Sequence, residues 1–227
     1  MYEWPYGDPA KAPARGPLHV GGKLDFSTLL SAYRHGAFPW YLEAEPVQWF
    51  CPSPRFVLLP DELRVTDSLR KTMRKKGWQV TLDQDFEGVM RHCAAVPRQG
   101  QFGTWITEDM IAAYVELHRK GYAHSVEVFW QGELVGGLYG VSIGRIFHGE
   151  SMFHTRSDAS KVGFVSLVER LKASGYVLID CQMPTPHLAS LGAGGVRRSD
   201  FLKVLAMERD QAPAAEAWVS PLSSSDP

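Results

Sequence analysis

Three apolar-rich stretches separated by two short glycine-containing turns occupy residues 124–147, and they restrict the fold more than any other part of the chain. Gln131-Gly132 and Ile143-Gly144 are the turn signals, and such dipeptides between alternating apolar runs mark antiparallel hairpins. The pattern predicts strands over 124–130, 133–141 and 145–147. Ser157 or Asp158 then stands where a helix cap belongs, ahead of a helix reaching Ala173 and ended by Gly175. Residues 176–182 read as a further strand and 199–208 as a final helix. A meander, a helix and another strand give an α+β sheet architecture.

Upstream, a short helix is predicted over 27–35, with Leu29, Leu30 and Tyr33 inward and Gly36 as its stop. Phe38-Pro39-Trp40-Tyr41 cannot be helical through its proline. Strands are expected at 47–50 and 56–59 around a Pro-Ser-Pro break, which places a domain boundary near Pro54. Residues 1–53 would be a small N-terminal α/β domain and 54–227 a larger sheet-and-helix domain. A helix over 67–76 follows, with Leu69 and Met73 on one face, then a strand at 78–82 and a helix at 86–95. The clearest helix is 107–120: Thr107 can cap it, Glu108 and Asp109 sit at its positive end, and Arg119 and Lys120 at its negative end. The first 20 or so residues and the tail from Gln211 are Pro/Ala/Ser-rich, and their ends are expected to be mobile.

Composition narrows the function classes. The 227 residues can bury a real core, and a net charge of −1 requires any nucleic-acid contact to come from a local patch. Cys51, Cys93 and Cys181 are odd in number and far apart, so neither a disulfide framework nor a Cys-x-x-Cys metal knuckle can be drawn. No run approaches a membrane span, and Met1–Gly16 lacks the apolar core of a signal peptide. A cytoplasmic protein is expected.

Four groupings could carry chemistry. In Leu178-Ile179-Asp180-Cys181-Gln182, strand alternation puts Asp180 and Gln182 on one face. A carboxylate beside an amide is costly to bury unpaired, so the pair is either a hydrogen-bonded turn into Pro184 or catalytic. In Phe147-His148-Gly149-Glu150-Ser151-Met152-Phe153, Gly149 suggests a bulge or close backbone approach, and Glu150 is an acid among large apolar residues. No metal site is expected there, because the His-x-Glu string lacks a Pro-Cys-x-x-Cys partner. Arg70, Lys71, Arg74, Lys75 and Lys76 form a cationic helix surface whose i,i+4 like-charge pairs phosphate binding would explain, although a plain solvated face explains them as well. Trp40, Trp49, Trp105, Phe38, Phe50 and Phe102 lie in loop or edge segments, where they are either core or platforms for a nucleobase.

As a set these strings resemble the bacterial leucyl/phenylalanyl-tRNA–protein transferase family. The match rests on Gly36-Ala37-Phe38-Pro39-Trp40, Gly103-Thr104-Trp105-Ile106-Thr107, Ala123-His124-Ser125-Val126-Glu127-Val128, Glu133 to Val141, Gly149 to Phe153, Ala159-Ser160-Lys161, Leu178 to Gln182 and Ser190-Leu191-Gly192-Ala193. It runs from about Gly21 to Phe201. The resemblance implies a small N-terminal domain and a GNAT-like C-terminal domain, the latter also likened to this chain by its order of meander, helix and strand. It implies transfer of Leu, Phe or Met from aminoacyl-tRNA to proteins beginning with Arg or Lys, marking them for N-end rule degradation, by a monomer without cofactor. Asp180 and Gln182 would be catalytic, held by Glu150; Trp40 and Trp105 would hold the terminal adenosine; Phe147, Met152 and Ile179 would line the amino-acid pocket. Leu138, Phe164 and Leu171 stand where the family pattern often has Met, Leu and Phe, and Phe50 stands where a second Trp is usual, so the pocket's shape is expected to differ. The stretch 96–102 reads as a longer loop than usual.

The chemistry suits the residues. An aminoacyl-tRNA is an activated ester, so attack by an α-amine needs positioning and proton removal rather than ATP or a metal. Asp180 would polarise Gln182 and Gln182 would hold the amine, although the sequence equally allows Asp180 to touch the amine. A small-molecule N-acyltransferase using acyl-CoA is the alternative. It would need a glycine-rich phosphate turn where this chain has His154-Thr155-Arg156-Ser157-Asp158. An RNA-binding module is the non-enzymatic alternative, and it leaves Asp180, Gln182 and Glu150 without a task.

Overall fold

The computed structural model describes residues 4–96 and 104–218; apart from Val96, the loop expected over 96–102, with Phe102, lies outside them. In chain order the elements are β1 (His19–Val20), α1 (Phe26–Arg34), β2 (Phe38–Pro39), β3 (Gln48–Phe50), β4 (Arg55–Leu58), α2 (Asp67–Met73), β5 (Trp78–Leu82), α3 (Phe86–Ala95) and α4 (Glu108–Arg119). They continue with β6 (Ala123–Trp130), β7 (Glu133–Ile143), β8 (Ile146–His154), α5 (Ala159–Ala173), β9 (Leu178–Gln182), α6 (Pro186–Ser190), β10 (Gly194–Val196) and α7 (Arg198–Glu208). The fold is α+β, and β6–β7–β8, α5 and β9 follow the predicted order.

Local chemistry sets the boundaries. Asp25 starts α1 by accepting the Thr28 N–H, Asp85 starts α3 through Gly88, and Thr107 starts α4 through Met110. Helix α2 ends at Met73, short of the predicted Lys76. The Lys75 N–H and the Trp78 indole N–H both bond the Thr72 carbonyl, and Gly77, at a φ of 119°, reverses the chain. Lys75 and Lys76 therefore lie beyond the helix, and the expected Lys71/Lys75 repulsion is not a helical one. At α5, Asp158 adopts a left-handed φ of 65° and caps nothing with its side chain, which binds Lys161 instead.

The larger sheet has the order β10-β4-β9-β8-β7-β6-β5. Every neighbouring pair is antiparallel except β8–β9, which α5 connects as a crossover. Strand β8 is far longer than the predicted 145–147, because a bulge interrupts its alternation. Tyr139 pairs with Ser151 and Gly140 with Gly149, so Glu150 is the extra residue. The turn before it centres on Gly144-Arg145, since Ile143 pairs with Ile146. Strand β10 and helix α6 were not predicted; each is too short to show a period.

Strands β1, β3 and β2 form a separate antiparallel sheet within residues 1–53. One core cluster joins Leu29, Tyr33 and Trp49 from that region to Met90, Tyr114 and Tyr139 beyond it. A second cluster lies under α5, with Leu138, Phe147, Phe164 and Ile179. From Trp4 onward the N-terminal stretch is tied to the rest of the fold. Trp4 and Tyr6 pack on Trp49, and the Arg198 guanidinium donates to the carbonyls of Ala10, Pro13 and Cys51.

Candidate active site

Strands β8 and β9 pair only at Ile146↔Leu178, Phe147↔Ile179 and His148↔Asp180, then part. Both carry an irregularity just past that point. On β8 it is the bulge at Glu150. On β9, Phe56 pairs with Gln182 and Val57 with Asp180, which leaves Cys181 extra. Bulges re-aim side chains, and here they turn Glu150 and Gln182 toward each other across the gap, with Gln182 Nε2 donating to Glu150 Oε1 at 2.6 Å. Gln182 has a φ of 62°, left-handed for a residue with a side chain. Strain of that kind costs on the order of 1–3 kcal/mol and gathers at functional sites.

Glu150 is held from three sides. Its Oε1 also accepts from the Tyr33 hydroxyl at 2.7 Å and its Oε2 from Tyr114 at 3.2 Å, while the two hydroxyls touch each other. Burial raises the Glu150 carboxyl to about 7; hydrogen bonds from Tyr33 and Gln182 offset part of the rise, and the Asp180 charge adds to it. Burial, and then the Glu150 charge, push both tyrosines well above their ordinary range, so they remain protonated donors.

Asp180 sits in a different environment. It is fully buried, and so is Arg55, whose Nε and Nη2 donate to the two carboxylate oxygens at 2.7 and 2.6 Å. The Arg55 guanidinium lies over the rings of Phe38 and Phe201, 4.8 and 4.5 Å from their centroids. His148 Nδ1 approaches Asp180 Oδ2 at 2.7 Å; an ionised carboxylate only accepts, so this nitrogen carries the hydrogen. The Gln182 backbone N–H completes the shell at 3.0 Å. Burial alone would raise the Asp180 carboxyl, but the Arg55 charge and the bonds from Arg55 and His148 outweigh it and hold the group well below the usual carboxylate range. Asp180 thus contacts Gln182 through the backbone, and the Gln182 side-chain amide belongs to Glu150. His148 and Glu150, neighbours in the string first read as His-x-Glu, point to different partners.

The gap between β8 and β9 opens into a cavity of about 690 Å³, within the range of small-molecule sites. Glu150 and Gln182 line it, and Asp180 does not. Leu138, Phe147, Met152, Phe164 and Ile179 form an apolar wall from the α5 side. Trp40, Trp105 and Phe38, from the other core cluster, line it as well; Phe50 packs on Trp40 at 5.5 Å. Leu171, expected in the amino-acid pocket, is a correction: it is fully buried in the core cluster at the far end of α5 and does not line the cavity. Arg70, Lys71, Arg74, Lys75 and Lys76 are all exposed and outside it. The sequence reading missed Tyr33, Arg55, Tyr114 and His148 as site residues. Arg55 carried a usable signal: a lone arginine in the apolar run Phe56-Val57-Leu58-Leu59 has to find a buried acid.

Comparison with known proteins follows the same outline. Residues 57–206 match the family model for leucyl/phenylalanyl-tRNA protein transferase, and residues 22–53 match the model for that family's N-terminal domain. A leucyl/phenylalanyl-tRNA–protein transferase of Pseudomonas fluorescens (strain Pf0-1) is 56% identical over 204 residues, covering 90% of this chain and 89% of its own. One from Pseudomonas aeruginosa (strain LESB58) is 51% identical over 215 residues, covering 95% of each. Among solved structures, a GCN5-related N-acetyltransferase from Kribbella flavida overlaps 73% of this chain and 58% of its own at 11% identity, with a TM-score of 0.37.

Proposed function

The chain belongs to the leucyl/phenylalanyl-tRNA–protein transferase family, and from that premise we propose that it moves Leu, and also Phe or Met, from aminoacyl-tRNA to proteins that begin with Arg or Lys. It is an aminoacyltransferase that joins an amino acid carried by tRNA to protein. The observation that carries the finer reading is the Glu150–Gln182 bond at the cavity wall. Glu150 occupies the Gln182 amide NH₂, which leaves the amide carbonyl oxygen to accept a hydrogen from the attacking α-amine. The amine nitrogen forms its bond to the ester carbon, the bond from that carbon to the ribose oxygen breaks, and the proton lost by nitrogen ends on the ribose hydroxyl. Proximity supplies most of the acceleration. Asp180 acts through Arg55, His148 and the Gln182 backbone as a positioning residue. Trp40 and Trp105 are suited to the terminal adenosine, and the apolar wall to the carried side chain. We further propose a cytoplasmic monomer, divided at residue 53 into a small N-terminal and a larger catalytic domain, whose products are marked for N-end rule degradation. Among the described residues no helix is long and apolar enough to cross a membrane.

The direct test offers tRNAs charged with Leu, Met, Phe, Ile and Val to a peptide with N-terminal Arg, without ATP and in chelator. Leu, Met and Phe are unbranched at Cβ and can enter past a narrow neck, whereas Ile and Val carry a second substituent there. With no polar partner on the apolar wall, selection rests on shape, so kcat/KM for Ile should fall about 10–100-fold below Leu rather than vanish. Equal use of Ile and Leu, or a requirement for ATP, defeats the reading.

Glu150 gives the reaction a pH signature. Its carboxylate must be ionised to bind the Gln182 amide most firmly, so the rate should rise with pH through about 7. Glu150→Gln should remove that limb and leave the later one, from the acceptor amine's own pKa of about 8. The same group sets a stability trend. Its raised value means the folded state holds the proton more tightly between 4.5 and about 7, so stability falls as pH rises through that window and levels off above it. Glu150→Gln should flatten this fall. A wild-type profile without a limb near 7 overturns the assignment.

A further inference from the structure

Arg156 is an exposed arginine between the cavity and the cationic stretch at α2. Two residues before it, His154 lines the cavity. Its guanidinium carbon lies 4.2 Å from the centroid of the Trp130 ring and 5.9 Å from that of Trp78. These two indoles meet edge to face at 4.8 Å. Trp78 Nε1 is bonded to the Thr72 carbonyl inside α2, and the Trp130 ring lies against Gly77, the residue after Lys76. One contiguous strip therefore runs from His154 at the cavity, over Arg156 on its tryptophan bed, to Lys76, Lys75 and Arg74.

Among the described residues Arg156 has no carboxylate partner. The nearest acid in sequence, Asp158, is engaged by Lys161 at 3.1 Å. A guanidinium held over an aromatic face by cation–π attraction and not committed to a carboxylate keeps donors for bidentate binding of phosphate.

We propose that Arg156 binds a backbone phosphate of the single-stranded 3′ end of the tRNA, between the terminal adenosine in the cavity and the helical part of the molecule at α2. The inference rests on the proposed use of aminoacyl-tRNA. Arg156 is a binding residue remote from the reacting atoms, and Trp130 and Trp78 hold its orientation.

The experiment measures wild-type, Arg156→Gln and Arg156→Lys proteins with full-length Leu-tRNA and with a leucyl ester of adenosine alone. Arg156→Gln should raise KM for Leu-tRNA about 10-fold with kcat at saturation unchanged. It should also reduce the slope of log binding constant against log salt by about 0.7–0.9, the value for one phosphate contact. The adenosine ester lacks that phosphate, so its kcat/KM should not change. Arg156→Lys should restore the salt slope and only part of the affinity, because a point charge replaces a planar fork. An unchanged salt slope in folded Arg156→Gln overturns the proposal, and so does an equal loss with the adenosine ester. If wild type transfers nothing from Leu-tRNA, it is the underlying functional reading that fails.

Discussion

Arg55→Met should destabilise the protein by about 3–5 kcal/mol, the usual cost of leaving a buried charge without its partner. Arg55 and Asp180 are both fully buried and joined by two hydrogen bonds, so removing the cation strands a carboxylate that has no water to turn to. The measurement is the urea midpoint at pH 7. The double variant Arg55→Met/Asp180→Leu should recover much of the loss, because neither charge is then left behind. The pH dependence has the opposite sign to that of Glu150. The Asp180 value is depressed in the folded state, so its contribution is complete above the ordinary carboxylate range and disappears only in strong acid. An Arg55→Met midpoint equal to wild type would remove the ion pair from the account of this fold. The same geometry governs Asp180→Ala. That variant uncovers Arg55 and should lose stability as well as activity, so it cannot by itself show that the carboxylate is catalytic.

Gln182→Ala is the cleaner test of chemistry, with an expected drop in turnover of about 10²-fold or more, the scale for losing one positioned hydrogen-bonding group. Glu150 keeps its two tyrosine donors in this variant, and the ion pair is untouched. The unfolding midpoint should therefore stay close to that of wild type while kcat falls. Wild-type turnover in Gln182→Ala would assign the residue to structure alone.

Much of this was legible in the sequence, and the exceptions share a cause. Helices α3 and α4 were readable to within a residue because their caps and apolar periods are local properties. The facing of Tyr33 into the core was readable for the same reason. Strand β8 was not, since a period-2 reading stops at the first bulge and Gly149-Glu150 forms one. The pairing of Asp180 with Gln182 on one face assumed an unbroken strand. The Cys181 irregularity and the positive φ of Gln182 send one side chain into the core and the other to the cavity. Leu171 was drawn into the pocket by family resemblance, but its place near the end of α5 puts it in the core away from the cavity. Arg55, Tyr114 and His148 become site residues through contacts with partners 125, 36 and 32 positions away, and no local window contains such information.

The place of β4 in the large sheet has a consequence for how the chain is made. It is the first strand of that sheet to be synthesised, yet its neighbours are β9 and β10, both near the other end. At about 5–20 residues per second, the 125 positions from Arg55 to Asp180 take roughly 6–25 s to translate. Through that interval the Arg55 guanidinium has no Asp180 to pair with, and β4 has no neighbour in its sheet. A nascent chain arrested before β9 would already carry Trp40, Trp105, Phe147 and Glu150 from the cavity lining, but not Ile179 or Gln182. The pairing of β4, and with it the Arg55–Asp180 ion pair, waits until most of the chain has been made, when β9 takes its place between β4 and β8.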